Sequence, residues 1–148
     1  MLSLSMIVRN EEARLANCLA SVEGFADEIV VVDTGSIDGT VAIAEQAGAR
    51  VEQMEWPGDF APARNHALKF LTGDWVLVLD ADEQLRPEVI PSLKALMAQP
   101  DVLVINLLRY EIGAAMAPYS SVSRLFRRHP SIQWSRPYHS MIDESVQA

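Results

Sequence analysis

An uncharged apolar run that ends abruptly in acids is the feature that most constrains the fold of this chain. Residues 75–79 read Trp-Val-Leu-Val-Leu, and Asp80, Asp82 and Glu83 follow at once. Such a run is typical of a buried strand in a parallel sheet. Ligands of open α/β sheets bind just beyond the carboxyl ends of strands, where grouped acids repel one another unless a cation or partner joins them. A divalent metal held by one or two carboxylates and by phosphate oxygens would satisfy that geometry; the alternative is a solvated acidic turn.

A second segment repeats this construction. Residues 29–32 are all β-branched, which favours a strand, and Asp33 ends the run. A Gly- and Ser-rich turn follows, and Asp38 or Thr40 is placed to cap a helix that begins near Val41. Two strands that each carry an Asp to the same sheet edge predict a binding crevice. The loops contain no Gly-x-Gly-x-x-Gly or Walker-type sequence, and an EF-hand starting at Asp33 would have Asp38 where glycine is obligatory.

Strand-like and helix-like segments alternate along the chain, which predicts a Rossmann-like, mainly parallel sheet flanked by helices. The predicted strands cover residues 2–8, 28–32, 49–54, 75–79 and 102–110, and the predicted helices cover 11–22 (capped by Asn10), 41–47, 61–71 and 87–98. Short strands at 123–128 and 132–134 predict a small β-rich edge near the C-terminal end.

Composition narrows the class of protein further. The 148 residues are 49% hydrophobic and carry a formal net charge of −8. That charge argues against a nucleic-acid surface, because neutralising phosphates requires clustered Lys and Arg. The single cysteine, Cys18, excludes a disulfide framework and is expected in the core. No apolar stretch reaches the roughly 20 residues that span a bilayer, and residues 1–8 lack the features of a secretion signal, so we expect a cytoplasmic domain.

Four motifs, taken in this order, resemble those of the family 2 glycosyltransferases, which have the GT-A fold. They are Ser-Met-Ile-Val-Arg-Asn-Glu at 5–11, Val-Val-Asp-Thr-Gly-Ser-Ile-Asp-Gly-Thr at 31–40, Ala-Arg-Asn-His-Ala-Leu at 63–68 and Leu-Asp-Ala-Asp-Glu at 79–83. The resemblance implies an α/β, GT-A-type fold and a nucleotide-sugar donor, with a UDP-sugar as the first expectation. It also implies a divalent metal, Mg²⁺ or Mn²⁺, on the diphosphate, and inverting transfer of the sugar to an acceptor hydroxyl.

The resemblance assigns roles to residues at the ends of the first, second and fourth predicted strands. The backbone near Val8 and the side chains of Glu11 and Asp33 would bind the nucleoside. Asp80, the first acid of the Asp-x-Asp motif, would reach the ribose or the metal shell, and Asp82 would ligate the metal directly. Chemistry agrees with a metal at this point, because acids alone repel a diphosphate and the leaving diphosphate gains negative charge.

Arg64 follows Pro62 at the start of a predicted helix, where backbone N–H groups and the helix dipole favour anions. Arg64 would touch the diphosphate or pair with an acid of the crevice. The alternative is an ordinary surface arginine on the first turn of the helix.

Later residues complete the predicted site by the same resemblance. The Arg-Leu-Phe-Arg segment at 124–127 matches one found in a subgroup of the family, and His139 stands where that subgroup has a His-Glu pair. His139 would complete the metal shell. Glu111, just past the predicted strand 102–110, is the candidate catalytic base for the acceptor hydroxyl proton, with Asp143 and Glu144 as rivals.

We expect one domain over residues 1–148, with 1–100 as the nucleotide-sugar-binding half and 101–148 as a partial acceptor side of a truncated or minimal member. Two other classes stay open: a nucleotide-sugar-binding module without turnover, and a phosphatase of the haloacid-dehalogenase type. The acceptor is left undefined among glycan, lipid and protein. A membrane surface is compatible with the sequence but not encoded by it, and no pattern specifies an oligomeric state.

Overall fold

The computed structural model describes residues 1–110 and 119–128 of the chain. Their strands are β1 (Leu2–Val8), β2 (Glu28–Asp33), β3 (Arg50–Gln53), β4 (Trp75–Val78), β5 (Val104–Tyr110) and β6 (Tyr119–Arg127). Their helices are α1 (Leu15–Ser21), α2 (Thr40–Gln46), α3 (Phe60–Leu68) and α4 (Ile90–Met97), the last preceded by a 3₁₀ turn at Pro87–Val89. The helices that the structure describes are all too short or too polar to cross a bilayer.

The six strands form one sheet in the order β3-β2-β1-β4-β6-β5. The first four strands in this order are parallel, whereas β6 pairs antiparallel with both β4 and β5. This arrangement confirms the predicted α/β, mainly parallel sheet. The antiparallel β5–β6 pair forms the β-rich edge that was expected near the C-terminal end; the segment 132–134 lies outside the described residues.

Two apolar layers cover the sheet, one on each face. On one face, β1 contributes Leu2, Leu4, Met6 and Val8, which pack with buried residues of α1, α2 and α4. The other face packs against α3 through a smaller cluster that includes Val30, Val76, Val78 and Phe126. Because β2 and β4 are covered on both faces, residues 29–32 and 75–78 are continuous apolar runs, which explains why these strands were recognisable in the sequence.

The first helix begins later than its apolar pattern predicted. α1 starts at Leu15 instead of residue 11, and Asn10 does not cap it. Asn10 has a φ of 53°, and its side-chain oxygen accepts a hydrogen bond from the backbone N–H of Ile37 in the neighbouring loop. The Asn10 side chain is therefore engaged in a long-range hydrogen bond and is not available to cap a helix that begins at residue 11.

Several other boundaries differ from the sequence prediction, including the start of β6, which lies at Tyr119 rather than residue 123. α3 ends at Leu68 rather than residue 71, and β5 begins at Val104 rather than residue 102. The segment 87–98 is not one continuous α-helix, because Pro91 lies at the start of α4 and a 3₁₀ turn precedes it. Proline is tolerated in the first turn of a helix, but it has no N–H to donate the backbone hydrogen bond that an interior position requires.

Gly73, in the turn before β4, allows two backbone segments to approach closely. A Cβ atom at Gly73 would lie 2.5 Å from Ser3 Oγ and 2.9 Å from the backbone oxygen of Met1. The Gly73 N–H donates to Ser3 Oγ at 2.9 Å, and the backbone N–H of Asp74 donates to the Met1 oxygen. This contact fixes the start of β4 beside β1 and so sets the register that aligns their opposite ends.

Candidate active site

A cleft of about 320 Å³ opens where β1, β2 and β4 end. It lies at the carboxyl edge of the parallel part of the sheet, where ligands of such folds bind. The lining residues are Ile7, Val8, Arg9, Glu11, Thr34, Trp56, Asp80, Ala81 and Asp82.

Strand register explains why residues far apart in sequence meet here. Val8 at the end of β1 pairs with Asp33 at the end of β2. On the other side of β1, Ser5 pairs with Val78, so Asp80 lies two residues further, level with the end of β1. The two acid-tipped strand ends therefore flank the same strand, but only the turn after β4 places its acids in the cleft, which differs from the prediction that Asp33 shares the crevice.

The loops that follow β1 and β2 are tied together by hydrogen bonds. The backbone N–H of Asn10 donates to Ser36 Oγ at 2.9 Å, and that of Glu11 donates to Thr40 Oγ1 at 2.8 Å. The backbone N–H of Gly39 donates to Glu12 Oε2 at 2.8 Å. These bonds make one wall of the cleft from two loops.

Asp33 organises that wall from below. Its buried carboxylate accepts hydrogen bonds from the backbone N–H groups of Gly35 and Ser36, at 3.3 and 3.1 Å, and from the Ser36 hydroxyl. Asp33 itself does not line the cleft; the next residue, Thr34, does. Thr34 donates both its N–H and its hydroxyl to the carbonyl oxygen of Val8.

Glu11 occupies the same wall beside a surface cation. Its Oε2 atom is 2.7 Å from Arg14 Nη2 and also accepts from Arg14 Nε at 2.9 Å. The Glu11 side chain is 22% exposed and that of Arg14 is 55% exposed. Solvent screens a pair of this kind, so it contributes little to stability. Because Glu11 also lines the cleft, its carboxylate can accept a hydrogen bond from a ligand hydroxyl there.

Two arginines hold the carboxylate of Asp80. Arg64 Nη2 from α3 lies 3.3 Å from Oδ1, and Arg124 Nη2 from β6 lies 3.4 Å from Oδ2. The arginine side chains are 11% and 12% exposed, whereas Asp80 is 43% exposed. Burial lowers the pKa of Arg64, and the charge of Asp80 opposes that shift. Arg64 thus pairs with an acid of the crevice, which is one of its two predicted roles.

Glu83 closes the turn that carries the acids. Its side chain accepts the backbone N–H of Asp80 at 2.8 Å, and its own N–H donates to the Asp80 carbonyl. Glu83 Oε1 also lies 3.6 Å from Arg124 Nη1. Asp82, at the tip of the turn, is exposed and has no hydrogen bond or ion pair with any described residue. The turn is fixed at Asp80 and leaves Asp82 available.

Helix α1 supports the turn from behind. The Cys18 thiol lies 3.6 Å from the carbonyl oxygen of Asp80, and Ser21 Oγ accepts the backbone N–H of Leu85 at 3.0 Å. Burial raises the pKa of the Cys18 thiol to about 12, and the nearby acids, first Glu83, add to the shift. Cys18 is buried, as predicted, and it also contacts the turn that carries the acids.

The acids could hold a divalent cation if water or a ligand supplies the remaining oxygens. Within residues 1–110 and 119–128, no three His, Cys, Asp or Glu side chains converge on a preformed metal site. Asp80 and Asp82 offer hard carboxylate oxygens, and Mg²⁺ or Mn²⁺ bound to phosphate needs one or two of these. The two arginines and the three acids 80, 82 and 83 together leave one net negative charge, which a dication would reverse.

The structure brings together most of the predicted site residues that it describes. Val8, Glu11, Asp80 and Asp82 line the cleft, and Arg64 contacts Asp80 from below. Glu111 and His139 lie outside the described residues, and their roles stay predictions.

Sequence reasoning did not assign site roles to Arg124, Glu83 or Trp56. The Arg-Leu-Phe-Arg motif was a signal for Arg124, but only the antiparallel register of β6 against β4 shows that it reaches Asp80. Trp56 is separated from every motif in the sequence, and the loop between β3 and α3 brings it to the cleft.

Comparison with known proteins identifies the family. The model of "Glycosyl transferase family 2" matches residues 3–147, so the chain belongs to this family. A TPR repeat-containing protein of Synechococcus elongatus is 50% identical over 146 residues, which are 99% of this chain and 36% of that protein. The chain thus spans about a third of the length of this relative.

Solved structures share the fold. Staphylococcus aureus TarS 1-349 in complex with UDP-GlcNAc is 28% identical, with a TM-score of 0.65, over 78% of this chain and 35% of that one. Glucosyl-3-phosphoglycerate synthase of Mycobacterium tuberculosis, in complex with Mn²⁺, UDP and glucosyl-3-phosphoglycerate, is 25% identical, with a TM-score of 0.59, over 70% and 42% of the two chains. The chain has the GT-A fold expected from its motifs.

Proposed function

We propose that this chain is the nucleotide-sugar-binding and catalytic domain of a glycosyltransferase that requires a divalent metal and inverts the transferred sugar. The observation that carries the proposal is the shared cleft at the ends of β1, β2 and β4, with the Asp80–Asp82 turn on one side and the tied loops on the other. Similar structures with UDP-GlcNAc or with Mn²⁺ and UDP support a UDP-sugar as donor. Membership of the glycosyltransferase family argues against the phosphatase alternative.

The two acids of the motif would have different roles. Asp82 is exposed and unpartnered among the described residues, so it would ligate Mg²⁺ or Mn²⁺ directly, together with oxygens of the donor diphosphate. Asp80 is oriented by Arg64 and Arg124 and would complete the metal shell or bind the ribose. A metal bound there would stabilise the charge that develops on the leaving diphosphate.

The nucleoside would lie on the opposite wall. Val8, Glu11 and Thr34 line that part of the cleft, and Asp33 fixes the turn beside them. Glu11 would accept a hydrogen bond from a sugar hydroxyl of the nucleoside. Asp33 would either accept a hydrogen bond from the nucleoside directly, after releasing its contacts with Gly35 and Ser36, or position the backbone of that turn for the nucleoside.

Residues on the acceptor side complete the proposal. Glu111 would remove the proton of the acceptor hydroxyl, and His139 would add a ligand to the metal. The acceptor would be a glycan, lipid or protein, and the reaction would take place in the cytoplasm. The proposed division is residues 1–100 for the donor and 101–148 for part of the acceptor side.

The proposal is tested by calorimetric titration of the full chain with UDP-, GDP- and dTDP-sugars, with Mn²⁺ and with EDTA. We expect metal-dependent binding of at least one of them. Asp82→Asn should weaken it by about tenfold or more, since even outer-shell changes cost about 10–100-fold. Asp101→Asn, at an exposed acid in the turn after α4, is the matched control and should bind like the parent. Unchanged metal-dependent affinity in Asp82→Asn would contradict the metal assignment.

A nucleotide-sugar-binding module without turnover is the second candidate. The described residues of the cleft that have a proposed role bind the donor or its metal, whereas Glu111, the candidate base, lies outside the described residues. Transfer of a radiolabelled sugar to acceptors in a cell lysate separates the two candidates. Labelled product that disappears in Asp82→Asn supports the enzyme; tight metal-dependent binding without product supports the module.

A further inference from the structure

Helix α1 contacts the turn that carries the acids at both of its ends. The Cys18 thiol lies 3.6 Å from the carbonyl oxygen of Asp80, where the turn begins. Ser21, the last residue of α1, accepts the backbone N–H of Leu85 at 3.0 Å, where the turn ends. Cys18 and Ser21 are three positions apart and therefore lie on the same face of the helix. Asp82 lies between these two attachment points and is exposed at the tip of the turn.

The Ser21 hydroxyl is oriented for its bond to the turn. It donates its proton to the carbonyl oxygen of Cys18 at 2.6 Å. A hydroxyl has one proton and two lone pairs, so this bond leaves a lone pair to accept the N–H of Leu85. Leu85 is buried, and its side chain belongs to the same apolar cluster as Leu15 and Leu19 of α1. Packing and the Ser21 hydrogen bond together fix the end of the turn against the helix.

The other end of α1 is bonded to the opposite wall of the cleft. The backbone N–H groups of Arg14 and Leu15 donate to the carbonyl oxygen of Glu11, at 3.1 and 2.9 Å. Glu11 lines the cleft, and the buried side chain of Leu15 anchors the start of the helix in the core. A short helix packed on the sheet therefore joins the wall that contains Glu11 to the turn that contains Asp82.

We propose that α1 is a rigid link between the two walls of the cleft and that Ser21 is a positioning residue, which sets the place of Asp82 relative to the metal; this rests on the function proposed above. The Asp82 side chain has no hydrogen bond or ion pair with any described residue, so the backbone of its turn determines its position. Groups that orient a metal ligand without touching the metal commonly change metal affinity about 10–100-fold. Ser21 acts in this way, through the backbone at Leu85.

The test compares Ser21→Ala with Ser21→Thr in the full chain. Alanine removes the acceptor of the Leu85 N–H, whereas threonine keeps a hydroxyl at the same position. Calorimetry with Mn²⁺ at a fixed concentration of UDP should show Ser21→Ala binding the metal about tenfold more weakly than the parent, and Ser21→Thr within about twofold of it. Ser92→Ala, at an exposed serine of α4, is the matched control and should bind like the parent.

Hydrogen exchange gives a second readout that needs no ligand. In Ser21→Ala the backbone amides of residues 80–85 should exchange about fivefold faster than in the parent, because one hydrogen bond that holds the turn is lost. The amides of β1 should exchange at the parent rate. Circular dichroism melting checks that the variants are folded; if Ser21→Ala melts below the assay temperature, Ser21→Cys, with a weaker hydrogen-bonding group, takes its place.

The outcomes separate the two proposals. If UDP, GDP and dTDP with Mn²⁺ all fail to bind the parent chain, the proposed function falls, and the role of Ser21 in metal binding falls with it. If the parent binds and Ser21→Ala has the same Mn²⁺ affinity within twofold, the function stands and Ser21 is only a structural residue. Equal losses in Ser21→Ala and Ser21→Thr, or unchanged exchange at residues 80–85, would also overturn the positioning role.

Discussion

Replacing Arg124 by glutamine tests whether the acid turn is held by the antiparallel edge of the sheet. Arg124 lies 3.4 Å from Asp80 Oδ2 and 3.6 Å from Glu83 Oε1. The side chains of Arg124 and Glu83 are 12% and 16% exposed, so this pair is largely shielded from water. The Asp80 side chain is 43% exposed, and solvent screens its share of the interaction.

The expected loss of stability follows from these contacts. Removing one partner of a fully buried ion pair costs about 3–5 kcal/mol, whereas an exposed pair contributes about 0–1 kcal/mol. After the substitution Asp80 keeps its contact with Arg64, and Glu83 keeps its hydrogen bond from the Asp80 backbone. We therefore expect Arg124→Gln to lower the free energy of unfolding by about 2 kcal/mol. For a chain of this length, that corresponds to a fall in Tm of about 4–8 °C.

Urea unfolding of the parent, Arg124→Gln, Glu83→Gln and the double variant measures the interaction directly. The double-mutant cycle should give a coupling of about 1 kcal/mol between Arg124 and Glu83. Arg128→Gln is the matched control on the same segment, because Arg128 is exposed and its side chain donates only to the Gly73 carbonyl among the described residues. It should cost less than about 1 kcal/mol.

A metal titration distinguishes this electrostatic role from general damage. Arg124→Gln removes a positive charge beside Asp80 and frees one of its oxygens. Removing such a charge is worth on the order of 1 kcal/mol, so Mn²⁺ alone should bind about fivefold more tightly to the variant. A coupling energy near zero, or weaker Mn²⁺ binding to a folded variant, would refute the view that Arg124 holds the acid turn in competition with the metal.

Two further predictions concern pH and reactivity. Burial raises the pKa of Glu28, but hydrogen bonds from Thr72 and Ser3 outweigh it and lower the pKa below its ordinary value. The stabilising effect of the Glu28 carboxylate is therefore complete above its unfolded-state pKa and is lost as the pH falls through its folded-state pKa. Glu28→Gln should lower the free energy of unfolding by about 1–2 kcal/mol at pH 7, measured in urea, and this loss should shrink towards pH 3. A pH-independent difference would contradict this. Burial first, and nearby acids second, raise the pKa of Cys18 to about 12, so the native thiol should resist a disulfide reagent at pH 8 and react at once in urea; fast labelling of the native protein would contradict it.

The strands could be predicted because buried strands have recognisable runs of apolar residues. Residues 30–32 of β2 and 76–77 of β4 are fully buried on both faces, and a run of apolar residues in such a position has few alternatives. The start of α1 was harder to predict, because hydrogen bonds to another loop decide it. Asparagine is a common capping residue, but Asn10 forms hydrogen bonds with Ser36 and Ile37 of another loop instead.

The candidate site was predictable in the same uneven way. The acids at the ends of β2 and β4 could be recognised in the sequence because they are polar residues that terminate apolar runs. Arg124 did not, because its proximity to Asp80 depends on which strand lies next to β4 and in which direction. A sequence pattern that fixes local structure carries little information about the register of an antiparallel edge strand. Trp56 was missed for a related reason, since a single aromatic residue in a loop has no periodicity to place it.

The arrangement of charges gives the two acids of the Asp-x-Asp motif unequal freedom. Asp80 is bound by two largely buried guanidinium groups, and Glu83 fixes its backbone. To become a direct metal ligand, Asp80 would have to give up part of those contacts, whereas Asp82 would give up none among the described residues. The unequal cost predicts that the metal is centred nearer to Asp82. It also follows that β6, an edge strand added to the parallel sheet, sets the availability of the first acid through Arg124. On the proposed function, a change at that edge would therefore alter metal affinity without touching a proposed metal ligand.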